Sequence, residues 1–216
     1  QGYQTKTFKP AYIKDKRVFD ANKGFRRTVG EQIGGNLTPE QRVQAHLARD
    51  MADQVNMVTR RMEVMAAEAL TTGKITVTGD NYPTTVVDFG RNADMTRVLT
   101  SGNKWGEAGV KPIENLEDYS EEVFLASGVA PTDVILTTPA WRLLKVDAAF
   151  EKAVDTNVSA LNEARTRVGA TVIAGSGARL VGVLGDLRLW VYSDYYVDPS
   201  DNTEKAVISG AKAILT

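Results

Sequence analysis

Few residues in this 216-residue sequence are suited to catalysis or metal binding. There is no cysteine, so neither a disulfide nor thiolate chemistry is available. The single histidine, His46, sits mid-helix between Ala45 and Leu47. With no second His and no Cys to join it, it reads as a structural or surface residue, not a base or ligand. Gly175-Ser176-Gly177 with Gly182 fails the dinucleotide-loop spacing, because Leu180 stands where the third glycine belongs. Gly73-Lys74 lacks the upstream glycine of a phosphate loop and follows a helix instead of preceding one. Asp194, Asp198 and Asp201 lack the alternating spacing and central glycine of a calcium loop, and read as a solvated turn. Trp105, Trp141 and Trp190 read as core or interface anchors. The expectation is a chain with no catalytic, cofactor-binding or metal-binding residues: not an enzyme.

The elements that would position side chains are more informative. Pro39 to Thr72 reads as one amphipathic helix, free of internal Pro and Gly. Thr38 is a suitable N-cap, Pro39 suits the first helical position, and Gln41 completes a Thr-x-x-Gln capping box. Val43, Leu47, Met51, Val55, Val58, Met62, Met65 and Ala69 form one apolar stripe, expected to be buried. Arg60 falls on the outer face. Gly73 supplies the left-handed stop. Such a helix is roughly 50 Å long, a spine for an elongated subunit.

Ahead of it lies a basic arm. Residues 1–37 hold eight basic and three acidic side chains, a balance of +5 that leaves −6 for the remainder of a chain whose net charge is −1. Its aromatics (Tyr3, Phe8, Tyr12, Phe19, Phe25) are spread along strand-like segments, and it carries no nucleic-acid motif. It reads as a two-stranded excursion turning near Asp20–Gly24. An isolated hairpin is marginal in water and needs a surface to lie on. A second copy of the chain is the natural candidate, with Lys14, Lys16, Arg17, Arg26, Arg27 and Arg60 as the expected subunit-interface residues. Near-neutral net charge argues against tight, specific DNA binding. No apolar run approaches the ~20 residues of a membrane span.

Beyond the helix, Lys74–Thr78 and Thr84–Phe89 read as paired strands, and residues 91–112 as glycine-rich loop. A helix follows from Ile113 to the Gly128 stop, then a buried strand Asp133–Thr137. Thr138-Pro139 opens another helix by the same cap-and-proline device, with helical patches continuing to about Thr166. Ala170–Ala174, Arg179–Leu184, Arg188–Tyr192 and Ala206–Leu215 read as strands.

Several of these segments carry a family resemblance. Tyr12-Ile13-Lys14, Arg27-Thr28-Val29-Gly30-Glu31 and Gly34 to Arg42 resemble the arm-to-spine segment of lambda-type major capsid proteins of tailed bacteriophages and prophages. Arg61 to Lys74, Val86 to Arg91, Pro131 to Leu136, Pro139-Ala140-Trp141 and Tyr192 to Tyr196 follow in the family's order. The resemblance implies an α+β fold of the tailed-phage capsid type, the Hong Kong 97-like fold. Residues 1–37 would be the extended E-loop. Residues 38–92 would be the peripheral domain with the spine helix. Residues 93–216 would be mainly the axial domain, with the last strand returning to the peripheral domain. The sequence lacks an initiator Met and stops inside a strand-like segment, so both ends of the natural chain are expected to lie outside it; members of the family likewise continue past a segment like Ala206–Thr216. The implied function is a structural subunit forming hexamers and pentamers of an icosahedral head around double-stranded DNA. Its implied partners are copies of itself, scaffold, portal and decoration proteins. Packaged DNA would be touched only non-specifically, and no cofactor or membrane is involved. The implied location is the virion capsid, and the host bacterial cytoplasm during assembly. The alternative is a non-viral compartment shell of the same fold. Some relatives join subunits by a Lys–Asn bond, but no Asn here can be assigned as a partner.

Overall fold

A computed structural model describes residues 12–14, 16–18, 22, 26, 37–79, 82–147, 149–150 and 177–216. The expected strand Ala170–Ala174, the helical patches between 151 and 166, the Asp20–Gly24 turn and Arg27 lie outside these residues. The chain divides into two units: Gln1–Ala66 with Thr76–Val87, and Ala67–Ile75 with Asp88–Thr216.

Residues 39–66 of helix α1, Pro39–Thr72, belong to the first unit, and its last six residues to the second. Its capping box forms as read from the sequence. The Gln41 amide donates to Thr38 Oγ1 at 3.3 Å, and the Thr38 amide donates to Gln41 Oε1 at 2.9 Å. Strands β1, Lys74–Gly79, and β2, Tyr82–Asp88, form a two-stranded sheet directly after the helix.

The stop at Gly73 involves more than a glycine. Gly73 has φ +72°, and its amide donates to Ala69 O at 2.8 Å. Arg91 then donates from both terminal guanidinium nitrogens to the carbonyls of Leu70 and Thr71, each at 2.8 Å. These are two of the carbonyls a helix end leaves without partners, and a cation there opposes the negative pole of the helix dipole. The fit is close: a Cβ on Gly73 would approach Arg91 Cβ to 2.9 Å.

The second unit is built on a four-stranded sheet of order β4-β5-β3-β8. Its strands are β3, Asp133–Thr137; β4, Ala178–Leu184; β5, Leu187–Tyr192; and β8, Ala213–Leu215. β3 runs parallel to β5 and antiparallel to β8. Alternation sends Val134 and Leu136 to one face beside their register partners Leu189 and Val191, and all four are buried. Helix α2, Pro112–Ser127, adds Ile113 and Leu116. Helix α3, Thr138–Leu144, adds Ala140 and Leu144, and Trp105 of the glycine-rich loop completes the cluster. α2 stops at Gly128, left-handed at φ +75°, as expected.

Three expectations need correction. Thr138 is not the cap of α3. The N-cap is Thr137, and its hydroxyl donates instead to Gly210 O at 2.8 Å, tying β3 to the chain just before β8. The strand expected over Ala206–Leu215 is two strands: β7, Thr203–Ala206, and β8, separated by a bend containing Gly210 at φ +78°. The aspartate-bearing stretch is not a plain solvated turn. β6, Tyr195–Asp198, pairs antiparallel with β7 as a two-stranded sheet.

The core makes a direct prediction. Leu136 is fully buried, so Leu136→Ala should cost about 2–5 kcal/mol in chemical denaturation. Among the described residues no acceptor meets the buried Trp105 indole N–H. Trp105→Phe removes that donor but leaves a smaller ring, so it should cost less than the roughly 3–5 kcal/mol of a Trp→Ala truncation.

Candidate interaction surfaces

The apolar stripe of α1 is not buried as expected. Leu47, Met51, Val55 and Met62 are 48%, 58%, 64% and 60% exposed, and only Ala67 of the helix is fully buried. Val43, Val58, Met65 and Ala69 are half-buried. The spacing identified one helix face correctly, but the described residues leave that face largely exposed. Apolar patches of this kind on soluble proteins mark interaction sites.

A second face of α1 carries His46, Asp50, Asp53 and Met57, which step by four, three and four along one side. The Arg17 guanidinium lies against it, 3.4 Å from Asp50 Oδ1, 3.3 Å from Asp53 Oδ2 and 3.4 Å from Met57 Sδ. His46 Nε2 lies 3.4 Å from the Arg26 carbonyl. These contacts were not legible in the sequence, because the acidic pair on the helix and the arm arginine are more than thirty residues apart.

The expected interface residues divide accordingly. Arg17 is engaged by its own helix, and Arg60 pairs with Glu63 at 3.0 Å one turn along the same helix. Lys14 and Lys16 are exposed, with Lys14 Nζ 5.8 Å from the Tyr12 ring centroid. Arg26 is exposed, and Arg27 is outside the described residues.

Two charged clusters stabilise the second unit. Asp133 accepts from Arg188, its register partner on β5, and from Trp190 Nε1 at 2.7 Å. The Arg188 hydrogen bond, with those from Trp190 and Thr132, holds the Asp133 carboxyl below the usual carboxylate range. On the β6–β7 hairpin, Lys205 Nζ is 2.6 Å from Asp198 Oδ2 and 2.9 Å from Asp201 Oδ2. The Lys205 hydrogen bond, followed by those from Ser200, pushes Asp198 far down. Hydrogen bonds to Asp198 and then Asp201 push Lys205 up.

An open groove of about 780 Å³ is lined by residues between Arg97 and Tyr119. Its charged groups are already paired. Lys111 meets Glu114 at 2.6 Å, while Arg97 meets Glu122 at 2.6 Å and stacks 5.0 Å from the Tyr119 centroid. No cluster of three or more His, Asp or Glu that could hold a metal ion occurs among the described residues. No helix among them is long and apolar enough to cross a membrane.

An α+β chain whose long helix leaves an apolar face exposed among the described residues presents a surface for contact with another molecule. The comparisons narrow this further. The model of the phage major capsid protein E family matches residues 1–216, and the chain belongs to that family. It is 26% identical over 199 residues to the major capsid protein of Escherichia phage lambda, covering 92% of this chain and 57% of that protein. It is 25% identical over 215 residues to that of Enterobacteria phage P21, covering 100% of this chain and 61% of that protein. The chain thus spans about three-fifths of the length of these relatives. The crystal structure of a prophage capsid protein from E. coli CFT073 superposes with a TM-score of 0.64 at 26% identity, covering 85% of this chain and 51% of that one.

Two predictions follow from these surfaces. Leu47→Asp and Met62→Asp should leave the isolated chain folded, within about 0.5 kcal/mol, because both side chains already face water. Circular dichroism melts check this. The Asp198–Lys205–Asp201 clamp has acid and alkaline limits. The depressed Asp198 and Asp201 stabilise the hairpin above the ordinary carboxylate pKa of about 4, and that contribution is lost as pH falls through their folded values. The raised Lys205 contributes below about pH 10 and is lost as pH rises through its folded value. Amide exchange at Tyr196 should therefore show intrinsic pH dependence alone between about pH 5 and 10, and Lys205→Met should accelerate it.

Proposed function

We propose that this chain is the greater part of a major capsid subunit of a tailed phage or prophage. Copies of it build hexamers and pentamers of an icosahedral head around double-stranded DNA. The observation that carries the reading is the exposed apolar stripe of α1 in a chain matched end to end by the capsid family model. A subunit that works through lattice contacts needs such uncovered surface, and a monomeric enzyme does not.

On this reading the fold is of the Hong Kong 97 type. Residues 1–37 act as the E-loop, 38–92 as the peripheral domain and 93–216 as mainly the axial domain. The partners are other copies, a scaffold, a portal and decoration proteins, with packaged DNA touched non-specifically. The protein works in the virion capsid after assembly in the host cytoplasm, and it performs no catalysis. Lys14, Lys16, Arg26, Arg27 and Arg60 meet neighbouring subunits. Arg17 is already engaged on its own helix.

Electron microscopy of the full-length protein, co-expressed with its scaffold and protease, tests the reading. Closed shells or capsomer rings are expected. A monodisperse monomer at high concentration with those partners present overturns it. Reversing Lys14, Lys16, Arg26 and Arg27 to Glu should abolish assembly with the circular dichroism spectrum unchanged. Each exposed pair is worth only ~0–1 kcal/mol, but a lattice repeats it many times.

A further inference from the structure

The C-terminal end of α2 is unusual for a helix that feeds a core. Phe124 and Leu125 are 50% and 74% exposed, and Val129, just past the Gly128 stop, is 69% exposed. On the same side, earlier in the helix, stand Glu117, Asp118 and Glu121, all exposed. Positions 114, 118, 121 and 125 step by four, three and four, so the acids lead into the apolar end along one face. No hydrogen bond or ion pair engages Glu117, Asp118 or Glu121 among the described residues. Like charges this close on a helix repel, which is tolerable in water and relieved by a cationic partner.

The chain carries a segment of complementary pattern. Tyr12 and Ile13 are 74% and 48% exposed, Lys14 and Lys16 follow, and Val18 is 83% exposed. Extended, residues 12–18 reach about 20 Å, and α2 from Glu114 to Leu125 rises about 17 Å. The order also matches. With Tyr12 against Phe124 and Leu125, Lys14 and Lys16, which share its side of an extended segment, meet Glu121 and then Glu117 or Asp118.

We propose that the outer face of α2 (Glu117, Asp118, Glu121, Phe124 and Leu125) is the landing surface for the Tyr12–Val18 segment of a second copy of this chain. The proposal rests on the capsid-subunit reading and deepens it by naming the surface that receives the arm. Charge complementarity selects the occupant: Glu117, Asp118 and Glu121 of α2 have no cationic partner among the described residues, and the segment offers Lys14 and Lys16. Burial of Tyr12, Phe124 and Leu125 supplies the non-ionic part of the affinity.

The test is a fluorescently labelled peptide of residues 9–19, titrated into the full chain and read by anisotropy. Supplied as a separate molecule, the peptide can bind only in trans. Saturable binding that weakens as salt rises from 50 to 500 mM is expected. A chain with Glu117→Lys, Asp118→Lys and Glu121→Lys should bind at least tenfold more weakly. The same chain should recover affinity for a peptide with Lys14→Glu and Lys16→Glu. A second variant, Leu125→Ser, should weaken binding without changing its salt dependence. No binding to the wild-type chain, or equal affinity for the lysine variant, overturns the proposal. The two readings fail separately. Shells by electron microscopy with no effect of the α2 substitutions on peptide binding sink the landing surface alone. Peptide binding lost on α2 substitution, in a protein that never forms shells, sinks the capsid reading alone.

Discussion

Strand β3 is the element to which the rest of the second unit refers. It has a neighbour on each side, parallel β5 and antiparallel β8, and it presents Val134 and Leu136, both fully buried, to the helices. Because side chains alternate along a strand, a slip of one residue would send Asp133 and Ile135 into the core and Val134 out. Asp133 guards against that slip. Its carboxylate is held by Arg188 and Trp190 on β5, which require it on the opposite face from Leu136. A buried apolar face and a polar pin on the other face therefore specify the same register.

The first unit is organised on a different basis. α1 has caps at both ends and one polar face occupied by Arg17, but its most apolar face lies open. Local signals fix where the helix begins and stops. Its apolar stripe contributes little to the stability of this chain alone, since burial is what yields the hydrophobic free energy. In a family whose members are major capsid proteins, a face left open within the chain is available for contacts outside it.

The sequence made visible what depends on neighbouring residues. The capping box at Thr38, the stops at Gly73 and Gly128, the α2 boundaries and strands β3, β4 and β5 all follow from short-range patterns. The α1 stripe was also legible as a face, but its burial was not, because periodicity says which residues share a side and not what lies against it. Contacts between distant residues were out of reach: Arg91 on the end of α1, Arg17 across Asp50 and Asp53, and the Thr137 hydroxyl on Gly210. Thr138-Pro139 suggested Thr138 as the cap by residue type; the cap is Thr137, and its hydroxyl is taken by the remote Gly210 carbonyl. The β6–β7 hairpin was missed because its aspartates read as a solvated loop, whereas Asp198 and Asp201 accept from turn amides and also meet Lys205.

The link from Thr137 to Gly210 and Lys212 also constrains folding in time. It joins residues 73 and 75 positions apart, and β3 has no other strand on that side. At ribosomal speeds of about 5–20 residues per second, that edge of β3 waits roughly 4–15 s for its partner to be made. During that interval the strand presents unpaired amides and carbonyls beside a strongly apolar sequence, the combination that templates wrong pairing. Long-range closure of this kind also slows folding, because loop entropy is lost before the contacts form. In a cell making many copies at once, nascent chains are therefore most vulnerable to one another before β8 is complete.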